Sequence, residues 1–429
     1  MGKISVIIPV KDTGIYLEEC LSSVINQSYS NLEIIIIDDN SKDNSKQIIN
    51  EFMERDSRIK MYRNEMTRGV AASRNIGLQK STGQYVYFLD SDDFLDQHIL
   101  EILITYGEEF KVVAGKNVSV HTERKEELNL SNIHMTRYKG KLVKLFKNRS
   151  ILNKLIDSKI IKENNLIFNE SERYFTDLSM ISDIISLVDQ IAYCRDAYYH
   201  KRKRPDPIKD PALMQEDMEG KIKGLASIII GEKKKEELTT KARKFLDNQF
   251  LNYYRKSIVQ YFKEESRINK VFPNLIQVTM KLEDDALNNK SYVLKREIRA
   301  ILNGNLNKYK KVMRQHTKLR TLKRGLKNKL SFYFYLYNNF LIRCKIDEKL
   351  IVFESFLGKN YSDSPKYIYE YMINNQYDYR YVWIFNKTGK TIPGHAKQVK
   401  RFSLKYFYYL AKAKYWVSNA RAPQRLSKR

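Results

Sequence analysis

The sequence predicts an α/β fold in three parts: a parallel sheet flanked by helices, a basic helical connector, and a second, smaller α/β region. Apolar strand segments alternate with helical segments between residues 4 and 89, which is typical of β-α-β units. Residues 208–345 have helical periodicity and few prolines. Strand and helix segments alternate again from residue 348 onwards. We therefore expect domains at residues 1–205, 206–345 and 346–429.

The strands of the first region have apolar, β-branched or aromatic side chains, and the helices between them carry apolar residues at helical spacing. The predicted strands are residues 4–10, 32–37, 59–62 and 85–89. A helix is expected after each of the first three strands, the second starting near Ser45 and the third near Gly69. Strands connected in this way run parallel, so their carboxyl ends meet at one edge of the sheet.

The carboxyl ends of three of these strands carry polar residues, at Pro9–Asp12, Asp38–Asn40 and Asp90–Asp93. Ligands of open α/β sheets bind beyond the carboxyl ends of the strands, so we expect a crevice there. Three carboxylates lie within four positions at Asp90-Ser91-Asp92-Asp93. Carboxylates at such a short separation repel one another unless a cation lies among them. Hard oxygen ligands of this kind suit Mg²⁺ or Mn²⁺. The alternative is a solvated acidic turn with Asp93 capping a helix.

Several classes of protein are not indicated by the sequence. It contains neither G-x-G-x-x-G nor a Walker A lysine loop, which argues against an ordinary dinucleotide site or a P-loop. No run of 18 or more apolar residues predicts a transmembrane helix, and no secretory signal is expected ahead of the first strand. Three widely spaced cysteines indicate neither a disulfide framework nor a zinc site. A cytoplasmic location is therefore expected.

The net charge of +27 predicts a polyanionic partner: nucleic acid, anionic lipid or an anionic polymer. Between Ile298 and Ile346 there are thirteen lysine and arginine residues and no acidic residue. An aromatic and aliphatic segment follows at residues 331–342, which suits the inner face of an anionic membrane. Its aromatic residues form one apolar block and do not alternate with cations, so nucleic acid fits less well. The remaining alternative is a helix whose aromatic face packs on the next domain.

Residues 1–205 resemble family 2 glycosyltransferases of the GT-A fold. The matching segments are SVIIPV, QSYSNLEIIIIDDNSKDNS, RGVAASRNIGL, GQYVYFLDSDD and NLIFNESERYFTDLSM. The resemblance implies an inverting transfer from a UDP-sugar, assisted by Mn²⁺ or Mg²⁺.

The resemblance also implies residue roles. Asp92 would hold the metal, and Asp177 would be the catalytic base. Within the donor site, Asp39 would accept the uracil imide proton, Pro9 would line the base pocket, and Asp90 would bind the ribose. The nucleotide-sugar-binding positions taken together are Pro9, Asp39, Thr67, Arg74, Asn75, Asp90, Ser91, Lys203 and Arg204. Structural alternatives stay open: a strand terminator for Pro9, a surface helix residue for Arg74, a helix cap for Asp177, and a solvated linker for Lys203 and Arg204.

The chain departs from the family pattern at three places. Lys11 and Asp12 stand where Tyr-Asn is common, Thr67 stands where asparagine is usual, and Thr176 precedes Asp177 where glutamate is usual. These departures motivate an alternative function, namely a membrane-associated scaffold with a degraded transferase site and no enzymatic activity.

Residues 346–429 resemble the beginning of the CDP-glycerol glycerophosphotransferases, the teichoic acid and capsule polymerases of the GT-B fold. The matching segments are IVFESFLGKNYSDSPKYIYEYM, YRYVWIF and SLKYFYYLAKAKYWVSNAR. Strands are predicted at residues 349–355, 381–385 and 415–419, with a helix ending near Asn374. The histidine-bearing catalytic segment of that family is not matched. We expect either part of a larger bifunctional protein or a docking module, with a polyol-phosphate polymer as acceptor.

Overall fold

A computed structural model describes residues 2–120, 133–139, 150–202, 217–261, 265–326, 328–420, 423 and 426. The chain divides into two compact units, Met1–Leu306 and Asn307–Arg429. The boundary lies inside the expected helical connector. The three-part division at residues 205 and 345 stays a prediction.

The first unit is built on a nine-stranded mixed sheet with the order β3-β2-β1-β4-β8-β6-β9-β5, and β7 pairs with β9. Its strands are β1 (Ile4–Val10), β2 (Leu32–Asp38), β3 (Ile59–Arg63), β4 (Tyr85–Phe88), β5 (Phe94–Leu95), β6 (Val112–Ser119), β7 (Met135–Lys139), β8 (Lys154–Asp157) and β9 (Gln190–Lys201). Its first helices are α1 (Gly14–Ile25), α2 (Ser45–Arg55), α3 (Val70–Lys80), α4 (Ile99–Ile104), α5 (Ser158–Glu163) and α6 (Asp177–Leu187).

The four strands predicted from the sequence are confirmed, and β1 pairs in parallel with both β2 and β4. All seven residues of β2 are buried, as expected for a strand covered on both faces. The stretch from residue 110 to 150 has no clear strand pattern in the sequence, yet it contains β6 and β7. Gly115 and Lys116 interrupt the apolar run of β6, and its pairing partners β8 and β9 lie far away along the chain.

One buried carboxylate connects three segments of the parallel sheet. Glu33 of β2 accepts hydrogen bonds from Ser5 Oγ at 2.5 Å, from the Thr82 amide at 2.6 Å and from the Gly83 amide at 2.9 Å. Burial alone raises the pKa of Glu33, but the hydrogen bonds from Ser5 and Thr82 outweigh it and lower the pKa to about 2. The ionised side chain therefore holds β1, β2 and the turn before β4 together.

A helical part completes the first unit and confirms the helical character expected after residue 208. Its helices are α7 (Met218–Glu232), α8 (Thr240–Tyr253), α9 (Val259–Tyr261), α10 (Glu265–Thr279) and α11 (Tyr292–Leu302), with a π-helical turn at Tyr254–Ile258. Helix α6 packs on α7 and α8. Lys235 Nζ lies 2.9 Å from Asp183 of α6 and 2.8 Å from Glu232 of α7. The helical part thus supports α6 from the side.

The second unit contains a four-stranded sheet in which every pairing is parallel, with the order β12-β11-β10-β13. Its helices are α12 (Leu306–Gly325), which begins at the boundary, α13 (Lys329–Asn339), α14 (Asp363–Asn374) and α15 (Leu404–Lys412). Its strands are β10 (Asp347–Glu354), β11 (Arg380–Phe385), β12 (Lys397–Lys400) and β13 (Ala413–Ser418). Short 3₁₀ turns lie at Leu341–Arg343 and Phe356–Gly358. The strands and the helix expected in this region are confirmed.

The aromatic segment at residues 331–342 packs within the second unit. The ring of Phe334 lies 4.9 Å from that of Phe407 in α15, and Tyr337 is 1% exposed. The docked-helix alternative therefore describes these side chains, and membrane association stays a proposal. None of the helices among the described residues is both long and apolar enough to cross a bilayer.

Candidate active site

The carboxylates that follow β4 form a compact cluster. One oxygen from each of Asp90, Asp92 and Asp93 lies within 4.8 Å of the others. Asp93 is 2% exposed and accepts hydrogen bonds from the Tyr199 hydroxyl and the Arg202 amide, both at 2.7 Å. Burial, followed by the charge of Asp90, raises the pKa of Asp93 to about 7. Three hard oxygen donors that repel one another fit a divalent cation.

The cluster is connected to the predicted catalytic base by one arginine. Arg74 Nη1 donates to Asp177 Oδ1 at 2.6 Å, and Arg74 Nη2 donates to Asp90 Oδ1 at 2.9 Å. The guanidinium is 4% exposed and lies 5.4 Å from the ring centre of Phe168. Burial alone lowers the pKa of Arg74, but the adjacent charges of Asp177 and Asp90 raise it. Arg74 therefore stays charged and fixes the two carboxylates relative to each other.

Asp177 is the first residue of α6, and its second oxygen accepts the backbone amide of Ile151 at 2.9 Å. No side-chain cap hydrogen bond occurs at this helix start, where Thr176 is the N-cap. Two residues earlier, Phe175 has a positive φ of 61°, which is unfavourable for a bulky side chain. The side chain of Asp177 is 15% exposed. Its two oxygens are therefore held by Arg74 on one side and by the Ile151 amide on the other.

Two lysines contribute to the electrostatics of this site. Lys154 is 6% exposed, and its amine donates to the carbonyls of Ser150 and Leu152, both at 3.0 Å. Burial lowers its pKa to about 8, against the opposing charge of Asp177. Lys201, at the end of β9, has a raised pKa, since the charges of Asp90, Asp93 and Asp92 outweigh its desolvation.

The second acidic pair, at the end of β2, holds the neighbouring loops. Asp39 is 3% exposed; its Oδ1 accepts Asn64 Nδ2 at 2.7 Å and the Arg68 amide at 2.8 Å, and its Oδ2 accepts the Gly69 amide at 2.8 Å. Asp38 lies 3.3 Å from Arg63 Nε. Strand β1 lies between β2 and β4, so the two acidic groups stand roughly 10 Å apart across the sheet edge.

Four of the other predicted site residues lie around these two groups. Asn75 pairs with both the amide and the carbonyl of Phe168, at 2.8 and 3.0 Å. Thr67 Oγ1 donates to the carbonyl of Asp39 at 3.3 Å, and Ser91 Oγ accepts a hydrogen bond from Thr13 at 2.9 Å. Pro9 is half-buried within β1. Lys203 and Arg204 lie outside the described residues.

Lys11, one of the departures from the family pattern, contacts the loop that follows β2. Its amine donates to the carbonyl of Asn40 at 2.6 Å and lies 3.4 Å from Asp12. These contacts tie the amine to the two loops that follow β1 and β2.

Comparison with known proteins shows which family the part of the chain that contains this site belongs to. Residues 5–163 match the family described as glycosyl transferase family 2. The glycosyltransferase GlyG of Streptococcus pneumoniae serotype 4 is 31% identical over 229 residues, which cover 48% of this chain and 72% of GlyG. The chain belongs to glycosyltransferase family 2.

A second match lies at the other end of this family 2 chain. Residues 336–429 match the family described as CDP-glycerol:poly(glycerophosphate) glycerophosphotransferase. The teichoic acid poly(glycerol phosphate) polymerase of Staphylococcus epidermidis is 28% identical over 441 residues, and the match covers 100% of this chain. The chain spans 60% of the length of that polymerase.

A solved structure shares the fold of this chain. Residues 1–349 of S. aureus TarS, in a crystal structure with UDP-GlcNAc, superpose with a TM-score of 0.61 and 18% sequence identity. The match covers 74% of this chain and 92% of that one. This likeness shows that the GT-A fold expected from the sequence is present.

Sequence motifs identified Arg74, Asp90 and Asp177, which the fold brings into direct contact. They did not identify Tyr199 and Arg202, which hold Asp93, or Lys154, whose amine binds the segment beside Asp177. Arg202 also pairs with Glu19 of α1 and donates to the carbonyl of Asp92 at 2.9 Å. The run of cations at residues 201–204 was the one available signal for Arg202.

Proposed function

We propose that this protein is an inverting, metal-dependent glycosyltransferase that moves a sugar from a UDP-sugar to a hydroxyl of a polyol-phosphate polymer. The observation that carries the proposal is the contact of Arg74 with both Asp90 and Asp177. It puts an aspartate cluster suited to a cation next to a carboxylate suited to general base catalysis. An inverting transfer needs these two groups on opposite sides of the anomeric carbon.

Each residue of the site has a role in this proposal. Asp92, with Asp90, would hold Mn²⁺ or Mg²⁺, which when bound neutralises charge on the departing diphosphate. Asp177 takes the proton of the acceptor hydroxyl. Arg74 holds Asp177 in place through the hydrogen bond between Nη1 and Oδ1.

The donor occupies the sheet edge between the two acidic groups. Asp39 accepts a hydrogen bond from the imide N–H of the base, and Pro9, Thr67, Asn75 and Ser91 surround the nucleotide or support the residues that do. Lys203 and Arg204 are proposed to close over the diphosphate. Such a closure would exclude water and strengthen the electrostatic contacts.

The acceptor class rests on the second family match and on the chain's charge. A net charge of +27 favours a polyanion over a neutral acceptor, and the S. epidermidis relative is named for poly(glycerol phosphate). Teichoic acid, or a capsule of the same type, is therefore the proposed acceptor. The protein is proposed to act in the cytoplasm at the inner face of the membrane, with no role for nucleic acid.

The test measures release of UDP from a panel of UDP-sugars with Mn²⁺ or Mg²⁺, with and without a polyol-phosphate acceptor. We expect turnover by the wild type, loss on chelation by EDTA, and loss in Asp92→Ala. Asp189→Asn, whose side chain is 100% exposed, is the matched control. A folded wild type that neither binds nor turns over any donor would favour the non-enzymatic scaffold suggested by Lys11, Thr67 and Thr176.

A further inference from the structure

The second unit contains a cleft with a volume of about 940 Å³. It is lined at the amino ends of β10, β11 and β12 by Asp347, Arg380 and Lys397, and by residues from the ends of α14 and α15. In parallel sheets the usual ligand crevice lies at the carboxyl ends of the strands. This cleft is at the opposite edge, so it is separate from any site of that kind in the same sheet.

The charges lining the cleft leave a positive excess. Asp347 is paired with Arg380, and Asp378 is paired with Lys349. Two further amines belong to the lining, Lys397 and Lys412. Among the residues that the structure describes, no carboxylate oxygen lies within 4.0 Å of either amine. The cleft therefore presents two amines that form no ion pair within 4.0 Å, although the more distant charge of Asp347 also acts on Lys412.

Each of these two amines lies near a tyrosine ring. Lys397 Nζ lies 5.4 Å from the ring centre of Tyr409, and Lys412 Nζ lies 5.5 Å from that of Tyr408. Lys412 also donates to the Tyr408 hydroxyl at 3.2 Å, and this hydrogen bond raises its pKa. Both amines are thus positioned and charged at neutral pH.

Three more tyrosines belong to the lining, at positions 377, 379 and 381. Tyrosine rings pack on the C–H groups of polyols and sugars, and their hydroxyls donate hydrogen bonds. Lysine binds phosphate as a point charge. Rings and cations side by side match a ligand in which hydroxyl-bearing carbons alternate with phosphates.

We propose that this cleft binds a phosphodiester-linked polyol chain, at a site distinct from the transferase site. The proposal rests on the proposed function, because such a chain is the proposed acceptor. A second attachment point on the acceptor raises its effective concentration for the enzyme. The cleft would thus favour long acceptor chains over short ones.

The experiment uses the full chain and a short synthetic glycerol phosphate oligomer, with affinity measured by isothermal titration calorimetry. The double variant Lys397→Gln/Lys412→Gln is expected to weaken binding by roughly tenfold or more. The control is Lys387→Gln/Lys405→Gln, which removes two exposed lysines of the same unit outside the cleft. This control should bind within about twofold of the wild type. Equal weakening in both double variants would overturn the proposal.

Further arms separate the remaining explanations. Tyr377→Ala, which removes a 47% exposed ring, should also weaken oligomer binding while the thermal unfolding midpoint stays unchanged. Phosphatidylglycerol vesicles distinguish a lipid headgroup: binding to vesicles but not to the oligomer would overturn the proposal. Asp92→Ala should bind the oligomer with the affinity of the wild type. Binding to the cleft can therefore be judged even if the proposed transferase activity is not found.

Discussion

Arg74 is the residue on which the geometry of the candidate active site depends. It is buried, charged and hydrogen-bonded to two carboxylates that belong to different elements. Removing one partner of such a buried group costs several kcal/mol, because the other charge remains unpaired. Asp177 and Asp90 therefore have defined positions before any substrate binds. Preorganised charges of this kind are the largest contribution to many enzymatic rates.

The first prediction concerns the base. Asp177→Asn keeps the shape of the side chain and can still accept the Ile151 amide, but it cannot take a proton. We expect sugar transfer to fall by roughly 10²- to 10⁴-fold, while UDP affinity measured by calorimetry changes little. Asp189→Asn should leave both quantities unchanged. Transfer within twofold of the wild type would rule out Asp177 as the base.

The second prediction concerns the segment that holds the base. Lys154 binds the carbonyls on both sides of Ile151, whose amide contacts Asp177. Lys154→Met fills the same space without those bonds, so the segment and Asp177 should shift. A displacement of about 1 Å costs on the order of 10²-fold in rate. We therefore expect a fall of roughly 10- to 100-fold in kcat.

The readout for Lys154 is a comparison of kcat with KM for the donor. A positioning role predicts lower kcat with little change in KM and partial rescue in Lys154→Arg. Lys159→Met, at an exposed position on α5, is the control. If the activity lost in Lys154→Met were fully explained by the fraction of unfolded protein, measured by urea titration, the positioning role would be contradicted.

The sequence pointed to candidate residues that have a motif around them, and it did not point to residues whose contacts are with distant partners. Asp90 and Asp177 lie in recognisable segments, so the sequence could single them out as candidates, and the fold brings both into contact with Arg74. Tyr199 contacts Asp93 across 106 positions of the chain, and nothing local to Tyr199 indicates that contact. Lys154 looks like an ordinary lysine in the sequence, and only its burial reveals its hydrogen bonds.

Among the elements, the first four strands were predictable and the strands that the chain adds to the sheet after them were not. Strands β1 and β2 are continuous apolar runs, because both faces are covered. Strand β6 contains Gly115, where a Cβ atom would lie 2.6 Å from the carbonyl of Ala197 in β9. Close approach of two backbones thus explains a glycine that, in the sequence alone, weakens the strand pattern.

The third prediction concerns the contact between elements made by Glu33. Its pKa is about 2 in the folded protein, against an ordinary value of 4.5. Ionised Glu33 therefore adds stability above about pH 4.5, and that contribution declines as the pH falls through about 2. A difference of this size corresponds to about 3 kcal/mol near pH 7.

Urea unfolding followed by circular dichroism checks this prediction. Glu33→Gln should unfold more easily than the wild type at pH 7, and the gap should shrink to less than half by about pH 3. Glu51→Gln, on the exposed side of α2, should show no such trend. A gap that stays constant with pH would mean that shape, and not charge, explains the effect of Glu33.

On the scale of the whole molecule, charge is the dominant property. The net charge of +27 was evident from the sequence, but the positions of the aromatic residues beside the basic stretch were not. The sequence favoured a membrane surface for residues 331–342, whereas Phe334 and Tyr337 pack inside the second unit. The periodicity of an amphipathic segment does not specify which surface its apolar face covers, because a protein surface and a lipid surface select the same side chains.

The fourth prediction separates a local basic surface from overall charge. Lys311, Lys318 and Lys323 are exposed on α12. Changing all three to glutamine should reduce binding to anionic vesicles by roughly 3 kcal/mol, since each lysine near the surface contributes about 1 kcal/mol. The control changes Lys46, Lys60 and Lys159 to glutamine and lowers the net charge by the same amount. Co-sedimentation at low and high salt measures both variants.

Equal losses in the two triple variants would assign the attraction to net charge alone, and α12 would have no special role. A loss confined to the α12 variant, together with release of the wild type by salt, would support the proposed membrane location. The distinction matters for the proposed function, because it decides whether a defined surface holds the protein at the membrane. An acceptor polymer and an anionic membrane are both negatively charged. Their binding surfaces can therefore be distinguished only by variants that remove the same number of lysines at different positions.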